Sequence, residues 1–238
     1  MAIILNIETA TNICSVALSK DLTIISLKES CEEKSHARLL TVFIEEIFKS
    51  QRITPADLNA VSVSKGPGSY TGLRIGVATA KGLSYGSDIP LIAVSTLQAM
   101  AYGIVNSEKL VFTKIKSLEN TLFCPMIDAR RMEVYVSFFD FQCKIWREIS
   151  ADIIEPGIYD NILNKHQVVF YGSGSSKCKN VLNHPNAIFI DDFFTSAKYI
   201  AHFAYQNFLK KEFVDSACFE PYYLKDFIAT KPRKNILK

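Results

Sequence analysis

The sequence holds no cysteine pair at metal-ligand or redox spacing. Its six cysteines stand at 14, 31, 124, 143, 178 and 218. There is no CxxC and no histidine at zinc-module distance, which argues against a zinc site or a disulfide framework and for buried, reduced thiols. Neither sign of charge dominates: 27 Lys and Arg against 24 Asp and Glu give +3. The chain as a whole is therefore no electrostatic trap for nucleic acid, and any RNA contact must come from a local patch. No stretch approaches the ~20 apolar residues of a membrane span. The opening "MAIILNIETA" lacks the basic region and long apolar core of a signal peptide. These absences point to a soluble, cytoplasmic protein with no membrane partner. The four histidines, at 36, 166, 184 and 202, fit neither HExxH nor HxxxH, and no GxSxG elbow occurs. No residue is assigned a catalytic role, and no metal or cofactor is expected.

What is present is periodic. "AIILNIE", "CSVALS" and "LTIISLKE" are β-rich segments with short polar connections, and they read as an antiparallel meander. In "KSHARLLTVFIEEIFKSQ" apolar pairs recur at helical spacing. "ITPADL" reads as a helix start, with Thr54 as N-cap and Pro55 at the first position. "AVSVS" is a strand, 70–85 a helix, "PLIAVS" a strand and "TLQAMAYGIV" a helix. The second half repeats the order: "TLFCPMID", "MEVYVSFFD" and "KIWREIS" as strands, a short helix in "PGIYDNILN", then "QVVFYGSGS" as a strand. A helix in "SKCKNVLN", the strand "AIFID" and the amphipathic helix "SAKYIAHFAYQNFLKK" complete it. The reading is an α/β protein built from a duplicated βββαβαβα unit. Glu8 and Asp128 follow the first strand of each half. The loop "KGPGS", with Gly66 and Gly68, has its counterpart in "YGSGS", with Gly172 and Gly174. Two such halves would face each other across a cleft lined by these acids and glycine loops.

"SKGPGSYTGLRIGVATAKG" carries the sharpest question. Glycine-rich turns that open a helix commonly hold phosphate. Yet Gly66 and Gly68 are followed by no Lys-Ser/Thr pair, and position 71 is threonine, so both the Walker A and GxGxxG fingerprints fail. A looser phosphate nest with Ser69 and Thr71 remains open beside a plain tight turn with Ser69 as N-cap. Behind the loop, Gly72, Gly76, Ala80 and Ser84 recur every fourth residue and make a smooth ridge. That ridge suits close approach by the chain's own neighbour or by a second chain. Glu8 and Asp128 are the best carboxylate pair for magnesium or acid–base work, with turn capping as the simpler alternative. Arg130, Arg131, Lys225, Lys231, Arg233, Lys234 and Lys238 are candidate phosphate contacts, but plain surface solvation is the stronger expectation, because the interleaved aromatics of a single-strand reader are missing.

"ILNIETATNICSVALS", "SKGPGSYTGLRIGVATAKGLSYGSDIPLIAVSTLQAMA", "MIDARRMEVYVSFFD" and "PYYLKD" together resemble the TsaB (YeaZ) family. The resemblance spans nearly the whole chain. It implies two actin-like (ASKHA), ribonuclease-H-like lobes, 1–108 carrying the partner-binding helices and 109–238, whose last segment packs back on the first. It implies an accessory role in making tRNA threonylcarbamoyladenosine, with TsaD and the ATPase TsaE as partners. A homodimer would form when TsaD is absent, and tRNA contact would be indirect or weak. In TsaD the segment matching "VSTLQAMA" bears a metal-binding His-x-x-x-His; here those positions are Thr96 and Met100, which implies a catalytically silent paralogue. Carried over, the partner interface includes Leu39, Leu40 and Phe43 with Gly72, Leu73, Gly76 and Ala80. The chain departs from the family with Glu8-Thr9-Ala10 for Asp-Thr-Ser, and with Lys34 and Thr41 where His and Pro are usual. These departures weaken a nucleotide-binding cleft built on Glu8, Thr9, Gly66, Gly68, Asp128, Gly172 and Gly174. The alternative function is an independent ASKHA-type phosphotransferase using that cleft.

Overall fold

The computed structural model describes residues 1–32, 35–108 and 115–225. Lys34, the segment expected to open the second lobe at 109, and Lys231, Arg233, Lys234 and Lys238 lie outside the described residues.

The first sheet is built from β1 (Ile3–Glu8), β2 (Cys14–Lys20), β3 (Thr23–Ser30), β4 (Ala60–Gly66) and β5 (Leu91–Ser95), in the order β3-β2-β1-β4-β5. β1 pairs antiparallel with β2 and parallel with β4; helices pack on it and Ile4 to Glu8 are all buried, so it reads as a near-continuous apolar run. Asn6 interrupts that run and is fully satisfied: its amide donates to Ser19 Oγ at 3.0 Å and its carbonyl accepts from Ser62 Oγ at 2.6 Å. α1 (His36–Gln51) and α2 (Tyr70–Ser87) cover one face of this sheet. α1 buries Leu40, Ile44 and Ile47 at three- and four-residue spacing. Thr54-Pro55 does open a helical element, a single 3-10 turn over Pro55–Asp57 closed by a capping box with Asp57.

The second sheet holds β6 (Thr121–Asp128), β7 (Glu133–Phe139), β8 (Ile145–Ile153), β9 (Gln167–Tyr171) and β10 (Ala187–Ile190), ordered β10-β9-β6-β7-β8. The pairing pattern is that of the first sheet: β6 is antiparallel to β7 and parallel to β9. The helices have diverged. α4 (Asp160–Leu163) is one turn, and "SKCKNVLN" forms only a 3-10 turn at Ser176–Cys178 instead of a helix. Ser175, Ser176 and Asn180 are poor helix-interior residues, and Ser175 Oγ donates to the Gly172 carbonyl at 2.8 Å, a local bond that competes with a helical ladder.

The two sheets exchange helices. α3 (Thr96–Val105) leaves the first sheet, and its Leu97, Met100, Ala101 and Ile104 pack with Phe123, Ile127 and Tyr171 of the second. α5 (Ala197–Lys210) follows the second sheet and packs on β1, β2, β4 and β5, with Ile200 and Ala204 against Ile4 and Ile92. Beyond α5 the chain stays on the first lobe. Val214 bridges to Leu91, and Tyr222 N–H donates to the Lys65 carbonyl at 2.7 Å.

Candidate functional site

The C-terminal ends of β1 and β6 face each other across a cavity of about 750 Å3. The first lobe supplies the Ala10–Ile13 turn and the start of α2, from Gly68 to Thr71. The second supplies the β6–β7 hairpin with Asp128 and Arg130, plus Tyr135 and Phe194, and Lys225 reaches in from the segment that follows α5.

Of the seven cleft residues anticipated from sequence, Gly68 and Asp128 line this cavity. Glu8 sits inside the fold at the end of β1, where Ala10 N–H donates to its carboxylate at 2.6 Å. Burial pushes its pKa up to about 7, against the opposing pull of hydrogen bonds from Ala10, Ser64 and Thr9. Thr9 is equally enclosed, and its Oγ1 lies against Gly76. The glycines are filled by the chain itself. A Cβ on Gly68 would overlap the Ala10 carbonyl, and one on Gly66, at φ +105°, would stand 2.8 Å from the Tyr222 carbonyl oxygen. Gly172, at φ +98°, would meet Met100 Cε and the Met126 carbonyl oxygen, both at 2.6 Å. Gly174 would meet Val134 Cγ1 at 2.8 Å. Both glycine loops therefore exist so that backbone can pass closely over backbone. The tight-turn reading of "KGPGS" holds, and Ser69 Oγ caps α2 by accepting from Gly72 N–H at 3.3 Å.

Asp128 is half-exposed and forms an ion pair with Lys177, which also donates to the carbonyls of Arg131 and Glu133. Glu8 and Asp128 thus do not face one another as a working pair: one is sealed in, the other neutralised. Thr96 and Met100 are 0% and 1% exposed, with Met100 in the cluster that joins α3 to the second sheet. Among the described residues no group of three or more His, Cys, Asp or Glu could hold a metal ion. No helix among them is long and apolar enough to cross a membrane.

The expected interface residues need correction. Gly72, Leu73, Gly76 and Ala80 are buried on the inner side of α2, and Leu40 is buried in the same core. The reason is steric: a Cβ on Gly72 would overlap the Thr9 carbonyl oxygen, and one on Gly76 the Thr9 hydroxyl. The smooth ridge accommodates the β1–β2 turn. Leu39 and Phe43 are half-buried against the same core. The open side of α2 carries a second small-residue row, Ala78, Gly82 and Gly86, with nothing within 4 Å of a Cβ at either glycine. Tyr85 stands beside it, 85% exposed, and Val42 is exposed on α1. Sequence reasoning missed this row although its four-residue spacing was visible, because the inner row has the same spacing.

Two mixed five-stranded sheets, a cleft between them and an exchanged helix pair define a two-lobed α/β fold. A solved structure of YeaZ from Pseudomonas aeruginosa shares it, with a TM-score of 0.79 at 22% identity over 94% of this chain and 100% of that one. Residues 30–231 match the family profile described as TsaD, tRNA N6-adenosine threonylcarbamoyltransferase. The tRNA threonylcarbamoyladenosine biosynthesis protein TsaB of Buchnera aphidicola subsp. Acyrthosiphon pisum is 34% identical over 187 residues, 76% of this chain and 80% of that one. The TsaB of Escherichia coli K12 is 36% identical over 156 residues, 66% of this chain but 58% of its own length. The chain belongs to the family of that profile and, within it, to the TsaB (YeaZ) proteins.

Proposed function

We propose that this chain is a non-catalytic subunit in the biosynthesis of tRNA threonylcarbamoyladenosine. It binds a TsaD-type transferase and holds it in its active conformation, in an assembly that includes TsaE. Its relatives' names support the pathway. The observation that carries the docking reading is the outer face of α2. Ala78, Gly82 and Gly86 form an open, smooth row beside Tyr85, suited to the close approach of a partner helix. Such a partner, binding one conformation of the transferase, raises that conformation's population. The same face would serve a homodimer when the transferase is absent. The rival phosphotransferase reading needs Glu8 in the cleft, and Glu8 is enclosed by Thr9, Ala10 and Ser64.

The test is Gly82→Arg. A Gly76→Arg change would overlap Thr9 and attack the fold, whereas Gly82 has open space around it. Gly82→Arg is expected to abolish copurification with TsaD while the melting temperature stays within a few degrees of wild type. Adding the wild-type chain to TsaD and TsaE is expected to restore tRNA modification, and the variant is expected not to. Undiminished copurification of a folded Gly82→Arg chain would sink the interface.

A further inference from the structure

The glycines of both loops are packed against by the chain itself, and the remaining walls of the interlobe cavity are not inert. Phe194 lines it at 59% exposure, and none of the ring contacts among the described residues involves that phenyl. Its neighbour Phe193 is the one stacked into the core, 5.6 Å from Tyr199. The opposite wall carries Tyr70, which packs on Tyr223 with ring centroids 4.8 Å apart, and the Arg74 guanidinium lies 5.3 Å from the Tyr70 centroid. Phe194 and Tyr70 thus put aromatic rings on both walls of one cavity, where a flat ring system could cover them.

Cations stand over the same space. Arg130 lines the cavity and Arg131 follows it in the β6–β7 hairpin turn; neither forms an ion pair among the described residues. The acids beside them are engaged, Asp128 with Lys177 and Glu133 with Lys225. The turn itself is held against preference. Arg130 has φ 71° and Arg131 φ 47°, the left-handed region that Asn and Gly take far more readily in hairpins. Two arginines in successive left-handed positions, the first of them lining the cavity, are the kind of local strain that accompanies a binding role. Asn12 and Thr71 add hydroxyl and amide groups to the first-lobe wall.

We propose that this cavity takes a nucleotide unit of a single-stranded RNA, its base against Phe194 and its phosphate on Arg130 and Arg131. Open π-faces and cations on one groove are the chemistry of single-strand recognition. This places interleaved aromatics and cations in space where the sequence shows none side by side. The choice of RNA over DNA rests on the proposed place in tRNA modification; the stacking and charge argument does not. A free nucleotide offers the same base and phosphate, so the test separates the two sources.

The full chain alone, without TsaD, is titrated into a short fluorescent single-stranded RNA, a duplex RNA of the same sequence, and a labelled AMP. The single strand is expected to bind most tightly, with a log–log salt slope of roughly −0.7 for each phosphate neutralised. Phe194→Ser, at an exposed position, is expected to weaken it by about tenfold, the order of one lost base stack. The double variant Arg130→Asn, Arg131→Gly suits the left-handed turn. It should melt no lower than wild type, yet bind at least about fivefold more weakly with a shallower salt slope. Three results overturn the proposal: no single-strand binding, binding that both variants leave unchanged, or AMP binding as tightly as the RNA. Because TsaD is absent, failure here leaves the Gly82→Arg experiment untouched, and the reverse holds.

Discussion

The two lobes carry the same strand order and the same glycine-bearing loop, and they have spent them differently. In the first, β4 runs through Gly66 and Gly68 into an 18-residue helix whose glycines let the Thr9–Ala10 turn pass. In the second, β9 runs through Gly172 and Gly174 into one 3-10 turn, and its glycines let the β6–β7 hairpin and Met100 pass. The acids have parted in the same way: Glu8 is sealed in the interior, and Asp128 stands half-exposed against Lys177. What both lobes kept is the close crossing of loop over strand end. What differs is the helix that each loop opens, and only the first lobe has one long enough to offer an outer face.

The exchanged helices give the strongest test of how separate the lobes are. Ile200 of α5 is fully buried against the first sheet, and Met100 of α3 against the second. Either residue replaced by alanine is expected to cost about 2–5 kcal/mol. Because α5 belongs by sequence to one lobe and by packing to the other, and α3 packs on both sheets, both variants should unfold in a single shifted urea transition. A split transition, with one lobe surviving the loss, would show the lobes to be independent.

The parted carboxylates come next. Glu8 has its pKa raised from 4.5 to about 7, chiefly because burial penalises the charged form. A folded value above the unfolded one means that the protonated carboxyl stabilises the native state. That contribution is whole below about pH 4.5 and is lost as pH rises through about 7, a difference of about 3 kcal/mol. Glu8→Gln keeps an oxygen for Ala10 N–H, so it should flatten the stability profile between pH 5 and 7. By pH 8 it should be the more stable protein. Asp128→Asn, which touches a partly exposed ion pair, is expected to move stability by less than about 1 kcal/mol. Equal pH profiles for Glu8→Gln and wild type would remove the distinction between the two acids.

Much of this was legible in the residues, for identifiable reasons. Period-two and period-3.6 patterns fix the strands and the long helices, since one face of each must be apolar. The duplication was visible because Glu8 with "KGPGS" and Asp128 with "YGSGS" recur at matching places. Helix length in "SKCKNVLN" was not, because Val181 and Leu182 keep an apolar pattern that a series of turns buries equally well. The side of α2 facing inward was not legible either. Two rows of small residues repeat at the same spacing, and only the β1–β2 turn, distant in sequence, decides which is covered. Phe194 and Arg130 lie far apart along the chain, and the cavity that joins them is a product of the lobe arrangement.

The smallest effects decide the assignment of those two rows. In an isolated helix, Gly→Ala is worth about 1 kcal/mol in favour of alanine, wherever it falls. At Gly82 nothing lies within 4 Å of the added methyl group, so the helix gain should appear nearly whole, as about 0.5–1 kcal/mol of added stability. At Gly72 the methyl group would overlap the Thr9 carbonyl oxygen, and a backbone atom in the short turn that leaves β1 cannot step aside as a side chain can. The overpacking cost of about 1–3 kcal/mol exceeds the helix gain and reverses the sign. Two identical substitutions in one helix, ten residues apart by their numbers 72 and 82, are thus expected to shift the urea midpoint in opposite directions. If both stabilise, the inner row is not the packed one, and the outer face loses its claim to be the surface left for a partner.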